Sequence, residues 1–313
     1  MFKRHNKISE MVDEHTHVQK DKLVLNPPFP DTIKIEIMAK CNYKCPYCAV
    51  RYNLREKGEI DSSFLFRILR EAKNIGVKEI GMFLLGESFL CKRLSEYIYY
   101  AKKVVGIEYV FITTNGYLCD KKRMVPVLEA GLDSIKFSIN APDCFGYKKM
   151  HGVDGMNRVL SNIKWLKKYI DKNEINIKTC VSSIYDDNKK EEFSKFKEYI
   201  LQYVDDFYFL PLYNQAGHCI SGGKIVGNPG RFDNMVSPVP CWALFNAAKI
   251  TWDGWLTACC FDHDERFKIS DLNKVSLLDA WNDKKFINLR KEHLCNNITN
   301  KSLCSKCLGL CGE

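Results

Sequence analysis

Cys41, Cys45 and Cys48 lie at the spacing C-x3-C-x2-C within "CNYKCPYC". Three thiols so close together suit a metal centre, yet they are one fewer than a tetrahedral zinc or a cubane iron–sulfur cluster normally takes from protein. A structural zinc site closes with a fourth ligand, and no His or Cys occurs in the 25 residues after Cys48. A cubane held by three thiolates instead leaves one iron open to an exogenous ligand, as a reactive cluster requires.

A second set, Cys241, Cys259, Cys260, Cys295, Cys304, Cys307 and Cys311, is concentrated in the last 73 residues. Cys241, Cys259, Cys304 and Cys307 form C-x17-C followed by C-x2-C, a set that suits either a four-thiolate zinc ribbon or an iron–sulfur cluster. Cys260 and Cys311 are alternative ligands. Cys91, Cys119, Cys144, Cys180 and Cys219 are scattered singly and read as ordinary core or surface thiols.

The first 25 residues hold charged groups and no apolar run, and no stretch approaches the roughly 18 apolar residues of a membrane helix. The expectation is a cytoplasmic protein that neither crosses nor binds a membrane. In a reducing compartment 15 cysteines, an odd count, read as ligands rather than disulfides. The net charge of +9 is distributed in lysine-rich amphipathic stretches, which predicts a solvated surface rather than a nucleic-acid interface and leaves room for docking an acidic electron-transfer protein.

The elements that position these residues follow from periodicity. "TIKIEI", "EIGMFLL", "EYVFITT", "SIKFSI", "INIKTCV" and "DFYFLPL" read as six strands, and helical patterns separate them, as with Leu65, Ile68, Leu69 and Ala72 behind a cap at Asp61 or Ser62. Helices are expected around 92–105, 120–130, 155–171 and 189–204. Strict βα alternation predicts an α/β fold with a parallel sheet, a partial (β/α)6 barrel whose first strand delivers the three cysteines to its C-terminal mouth. Residues 1–30 form an unassigned extension, 31–215 the barrel, 216–240 a Gly- and Pro-rich linker, and 241–313 a small cysteine-rich domain. That domain is expected to hold a hairpin turning at Asp253-Gly254 and one amphipathic helix in "SLLDAWNDKKFINLRKE".

C-x3-C-x2-C with Tyr47 before the third cysteine resembles the radical SAM superfamily. The resemblance implies that S-adenosyl-L-methionine supplies the missing ligand to a 4Fe-4S cluster and is cleaved to a 5′-deoxyadenosyl radical. "LLGES" resembles the family's GGEP motif at Gly86 and Glu87, with Leu85 and Ser88 as departures. Thr113 and Asn115 in "TTNG", Ser138 and Asn140 in "SIKFSINAPD", and Arg158 in "GMNRVLSNI" match further cofactor-contacting positions. The pattern Cys241-x12-Gly254-x4-Cys259 followed by Cys304-x2-Cys307 resembles the SPASM and Twitch extensions. It implies one auxiliary 4Fe-4S cluster, because the C-x5-C element of a full SPASM pattern is missing.

By the same resemblance the substrate is a small polar molecule, a sugar, nucleotide-sugar or aminocyclitol, that is dehydrogenated or epimerised, with a flavodoxin or ferredoxin as reductant. His218, Lys224 and Arg231 are candidates for the base or for anchoring, and Cys260 for a hydrogen donor. The alternatives are a radical SAM enzyme that matures a ribosomal peptide and, outside enzymes, an iron–sulfur electron carrier or zinc-binding adaptor.

Overall fold

The computed structural model describes residues 7–229 and 239–310. Six strands, β1 (Thr32–Ile35), β2 (Glu79–Gly81), β3 (Tyr109–Thr114), β4 (Ser134–Ser138), β5 (Lys178–Ile184) and β6 (Asp206–Leu210), lie parallel and in chain order. The sheet does not close into a barrel: β6 is its last strand. Alternation along β3 shows how its two faces are used. Val110 and Ile112 enter the main core beneath the helices, whereas Tyr109 and Phe111 face the concave side.

The crossovers are helical, as the periodicity predicts. In α2 (Ser62–Asn74) Phe64, Leu65, Ile68, Leu69 and Ala72 are buried, and the Asp61 carboxylate caps the first turn by accepting from Phe64 N–H at 2.9 Å. Each large side chain so buried contributes roughly 1.5–3 kcal/mol. Further crossovers contain α3 (Leu94–Tyr99, continued by a π-type turn to Val105), α4 (Lys121–Glu129), α5 (Cys144–His151), α6 (Met156–Asn173) and α7 (Lys190–Ile200).

The N-terminal extension, unassigned from sequence, contains α1 (Ile8–Thr16). Its buried Ile8 and Met11 pack with Tyr109, Phe111 and Cys180 on the concave face of the sheet. The stretch expected to be a structureless linker holds a small exposed hairpin, β7 (Ile220–Ser221) with β8 (Lys224–Ile225).

In the C-terminal segment β9 (Ala248–Ile250) and β10 (Trp255–Thr257) form the expected hairpin around Asp253-Gly254, with Gly254 at φ 88°. β11 (Lys268–Asp271) completes it, and β9 pairs in parallel with β1, so the three strands extend the central sheet. The single helix expected after them is two, α8 (Leu277–Trp281) and α9 (Lys284–Leu294). The break lies at Asp283, whose carboxylate accepts from Lys285 N–H and from the Ser270 hydroxyl, both at 2.8 Å; an N-cap there starts a new helix.

Candidate functional site

The loop after β1 carries Cys41, Cys45 and Cys48 together. Its backbone folds tightly, Cys48 N–H donating to Cys45 O at 3.0 Å, and Tyr43 N–H points at the Cys41 sulfur at 3.4 Å. Burial pushes the Cys41 and Cys45 thiols up to about 12, so a metal centre that binds there must displace their protons. Lys57 stands close enough to favour thiolates at Cys41 and Cys48.

Gly86 lets the loop after β2 lie directly on this one. A Cβ there would sit 2.0 Å from Met38 O, and the next residue's N–H donates to Lys40 O at 2.8 Å. The Glu87 carboxylate is held at the end of β3, near enough for its charge to act on Cys41. It accepts from the Thr114 hydroxyl and Asn115 N–H at 2.8 Å and from Phe89 N–H at 3.1 Å, and burial raises its pKa. Asn115 donates to Asn42 Oδ1 at 2.8 Å with its amide 4.0 Å from the Cys41 sulfur, which locks β3 to the cysteine loop.

Asn140 is a junction: its side-chain amide meets the Tyr47 hydroxyl, its Oδ1 accepts from Ile184 N–H at 3.0 Å, and its own N–H donates to His151 Nε2 at 3.1 Å. His151 Nδ1 lies 3.6 Å from the Cys45 sulfur, its ring stacked on Tyr147 at 4.1 Å. Sequence reasoning missed His151, which ends α5 at no recognisable spacing from a cysteine; burial lowers its pKa to about 3. Arg158 is exposed, its guanidinium 4.4 Å from the Tyr117 ring and its Nε–H donating to Tyr117 O at 3.0 Å. Tyr117 in turn packs edge-on against Tyr43 of the cysteine loop.

The C-terminal cysteines converge separately. Cys241, Cys259, Cys260, Cys304 and Cys307 line one apolar cavity of about 40 Å³ together with Phe261, Phe267 and His293. Among the described residues no three His, Cys, Asp or Glu side chains are grouped to hold a single metal ion. A cavity ringed by five thiols suits a larger thiolate-bound cluster. Phe261 N–H donates to the Cys259 sulfur at 3.3 Å, repeating the Tyr43 contact on Cys41. Lys249, fully buried, extends its ammonium to Ala243 O and lies near the charges of Cys260, Cys259 and Cys241. Cys311 and Arg231 lie outside the described residues.

The concave face of the sheet encloses a cavity of about 200 Å³. Tyr47, next to Cys48, and Trp242, next to Cys241, both line it, as do Thr113, Ser138 and Asn140. Lys136, Ser182 and Tyr208 add polar groups, and α1 contributes Met11 and His15. His15 Nε2 is 2.6 Å from Glu79 Oε2 and 3.1 Å from the Thr32 hydroxyl. His218 is absent from this lining. It pairs at 3.1 Å with Asp264, beside His263, whose Nε2 meets Gln215 Oε1 at 3.0 Å. Lys224 is exposed on β8, and Cys260 faces the smaller cavity.

Comparisons with known proteins agree with this layout. Residues 35–201 match the radical SAM superfamily and residues 241–308 the SPASM iron-sulfur cluster-binding domain. A GTP 3',8-cyclase from Clostridium acetobutylicum is 27% identical over 135 residues, which are 42% of each chain. The chain thus spans less than half the length of that relative. Among solved structures, BtrN in complex with AdoMet and 2-DOIA superposes with a TM-score of 0.57 at 19% identity, covering 89% of this chain and 96% of BtrN. Streptococcus suis SuiB bound to S-adenosylmethionine gives 0.69 at 19% identity, covering 99% of this chain and 77% of SuiB. No helix among the described residues is long and apolar enough to cross a membrane. An open parallel sheet, a three-cysteine loop at the end of its first strand and a match over more than half the chain leave one family: this protein is a radical SAM enzyme with a C-terminal SPASM domain.

Proposed function

We propose that this enzyme removes a hydrogen from a small polar substrate of the sugar, nucleotide-sugar or aminocyclitol type and dehydrogenates or epimerises it. One observation carries the proposal. The larger cavity is walled by Tyr47 beside one cysteine set and Trp242 beside the other, and hydroxyl and ammonium groups project into it. A substrate there lies against residues that adjoin a cysteine of each set. With α1 packed against the concave face, the space suits a compact polyol better than an extended peptide.

Cys41, Cys45 and Cys48 are the assigned ligands of a 4Fe-4S cluster, and Cys241, Cys259, Cys304 and Cys307 those of one auxiliary 4Fe-4S cluster. Cys259 is preferred over Cys260 because a backbone N–H already points at its sulfur. When bound, S-adenosylmethionine and the first cluster supply the 5′-deoxyadenosyl radical that abstracts the hydrogen. Thr113, Ser138 and Asn140 offer polar atoms to the cofactor's ribose and carboxylate, and the exposed Arg158 beside Tyr117 offers a fork-shaped donor. Gly86, Glu87 and Asn115 hold the loops to which these groups belong.

A base must take the substrate's hydroxyl proton in the dehydrogenation. His15 is the assigned residue, because it lines the cavity and Glu79 orients it. With Nε2–H donated to Glu79, Nδ1 is the nitrogen left to accept. Reduction by a flavodoxin or ferredoxin fits the net charge of +9.

The test is iron and sulfide quantitation with EPR on anaerobically reconstituted protein, together with S-adenosylmethionine cleavage. Wild type should hold about eight irons, and Cys41→Ala/Cys45→Ala/Cys48→Ala about four, with cofactor cleavage lost. After hydrogen abstraction and loss of the hydroxyl proton the substrate must still give up one electron, and the auxiliary cluster is the assigned acceptor; about four irons with zinc in the tail would remove that acceptor and sink the dehydrogenase reading. Turnover of a leader-bearing peptide in place of a polyol would overturn the substrate class.

A further inference from the structure

Two buried histidines, far apart in the chain, make the same pair of contacts. His151 Nε2 accepts from Asn140 N–H at 3.1 Å, and its Nδ1 lies 3.6 Å from the Cys45 sulfur. His293 Nδ1 accepts from Cys241 N–H at 3.2 Å, and its Nε2 lies 3.3 Å from the Cys304 sulfur. A ring nitrogen that accepts from an amide carries no hydrogen, so in a neutral imidazole the hydrogen is on the other nitrogen. In both rings that other nitrogen is the one facing sulfur. The backbone therefore fixes the tautomer, Nδ1–H in His151 and Nε2–H in His293, and each ring becomes an N–H donor to a cysteine. The same contact denies either nitrogen a role as ligand, since the sulfur-facing lone pair is occupied by hydrogen.

We propose that His151 and His293 are matched donors to the cluster-ligating sulfurs of Cys45 and Cys304, and that each raises the reduction potential of the cluster it serves. This rests on the assignment of both cysteine sets to iron–sulfur clusters. A reduced cluster carries one more negative charge, spread partly over its sulfurs, so an N–H directed at a ligating sulfur stabilises the reduced form more than the oxidised one. Burial strengthens the effect: His151 and His293 are 1% and 2% exposed, and little water competes for the sulfur. Neither histidine need touch substrate or cofactor; both act through a cysteine.

The experiment is an EPR-monitored redox titration of full-length reconstituted protein, with iron counted in each sample. His151→Leu should lower the reduced-to-oxidised ratio of the first cluster about tenfold at a fixed ambient potential, equivalent to ~59 mV for one electron, and leave the second cluster unchanged. His293→Leu should do the reverse. Geometry sets the rescue. Asn places its amide where Nδ1 stood and should restore the first cluster at position 151, whereas Gln reaches the Nε2 position and should restore the second at position 293. The swapped amides, His151→Gln and His293→Asn, should rescue poorly, an outcome that a merely space-filling role would not produce. Potentials equal to wild type in the Leu variants overturn the proposal. So does loss of iron in the Leu variants with recovery by neither amide, which would make the rings ligands or structural props. Wild-type protein that takes up no iron overturns the cluster assignment itself, a result distinguishable from both.

Discussion

His15 Nε2 and Glu79 Oε2 meet at 2.6 Å, joining an N-terminal helix to the second strand beside the larger cavity, which His15 lines. The carboxylate holds the ring as the third member of a catalytic triad holds its histidine. His15→Gln keeps a donor for Glu79 but removes the basic nitrogen. Product formation is expected to fall about 10²- to 10⁴-fold while 5′-deoxyadenosine release and iron content persist. Unchanged product formation in that variant would remove His15 from the chemistry.

Gly86 is where the β2 loop touches the cysteine loop. Its missing Cβ would lie 2.0 Å from Met38 O, a backbone atom that a rotamer change cannot move. Gly86→Ala should therefore dislodge the three-cysteine loop and lower iron by about four per chain, leaving the C-terminal cluster's EPR signal in place. Full iron loading in the purified variant would show that the two loops can separate at no cost to the site.

Asp264 supplies a pH signature. Burial by itself would raise its carboxyl, but the hydrogen bond with His218 and the charge of Arg266 prevail and hold it at about 2, below the ordinary 3.8. A depressed carboxyl stabilises the fold above its unfolded value and loses that contribution as pH falls through its folded value. Asp264→Asn should cost roughly 1–2 kcal/mol at pH 6, once solvent screening of the partly exposed pair is allowed for, and about half of that at pH 3. Urea midpoints of wild type and variant at the two pH values measure it; a deficit that grows on acidification would contradict the pairing.

Arg290 ties the segment before β1 to the C-terminal segment. It is fully buried and donates to Leu244 O at 3.0 Å, Leu25 O at 3.2 Å and Trp281 O at 2.9 Å, sandwiched by Trp281 and Phe286. Burial lowers its pKa to about 9. Arg290→Met leaves three carbonyls without this donor and should cost about 3–5 kcal/mol in urea unfolding, with protease cutting first near residues 20–30. A loss below about 1 kcal/mol would mean that water replaces the guanidinium.

The strands and the three-cysteine loop were legible in the sequence because each rests on local pattern, whereas the second cysteine set is spread over separate segments, of which the described residues Cys241, Cys259, Cys260, Cys304 and Cys307 line one cavity and Cys295 is exposed. Ile33, Ile35 and Ile37 alternate and are all buried, and Cys41, Cys45 and Cys48 occupy a single loop. What escaped depends on contacts between distant segments. His151 and His293 sit on helices at no recognisable ligand spacing, and only folding brings His151 to Cys45 and His293 to Cys304. His15 was hidden in a segment whose signal, Ile8 and Met11 one turn apart, is too short to register as a helix. The break before α9 could have been found, since Asn282-Asp283 is an N-cap pair inside an apparent helix. His218 stood out as a loop histidine, yet its partner Asp264 comes from the C-terminal segment and draws it out of the cavity lining.

The ladder between β1 and β9 has a consequence for biosynthesis. Ile33 leaves the ribosome well before its partner Ala248, with β2 to β8 made between them. Until then the first strand presents a free, apolar edge, the kind of surface that pairs with other nascent chains. A ribosome that stalls between the two segments would release an aggregation-prone intermediate, so the C-terminal segment serves as the last stave of the sheet as well as a carrier of cysteines.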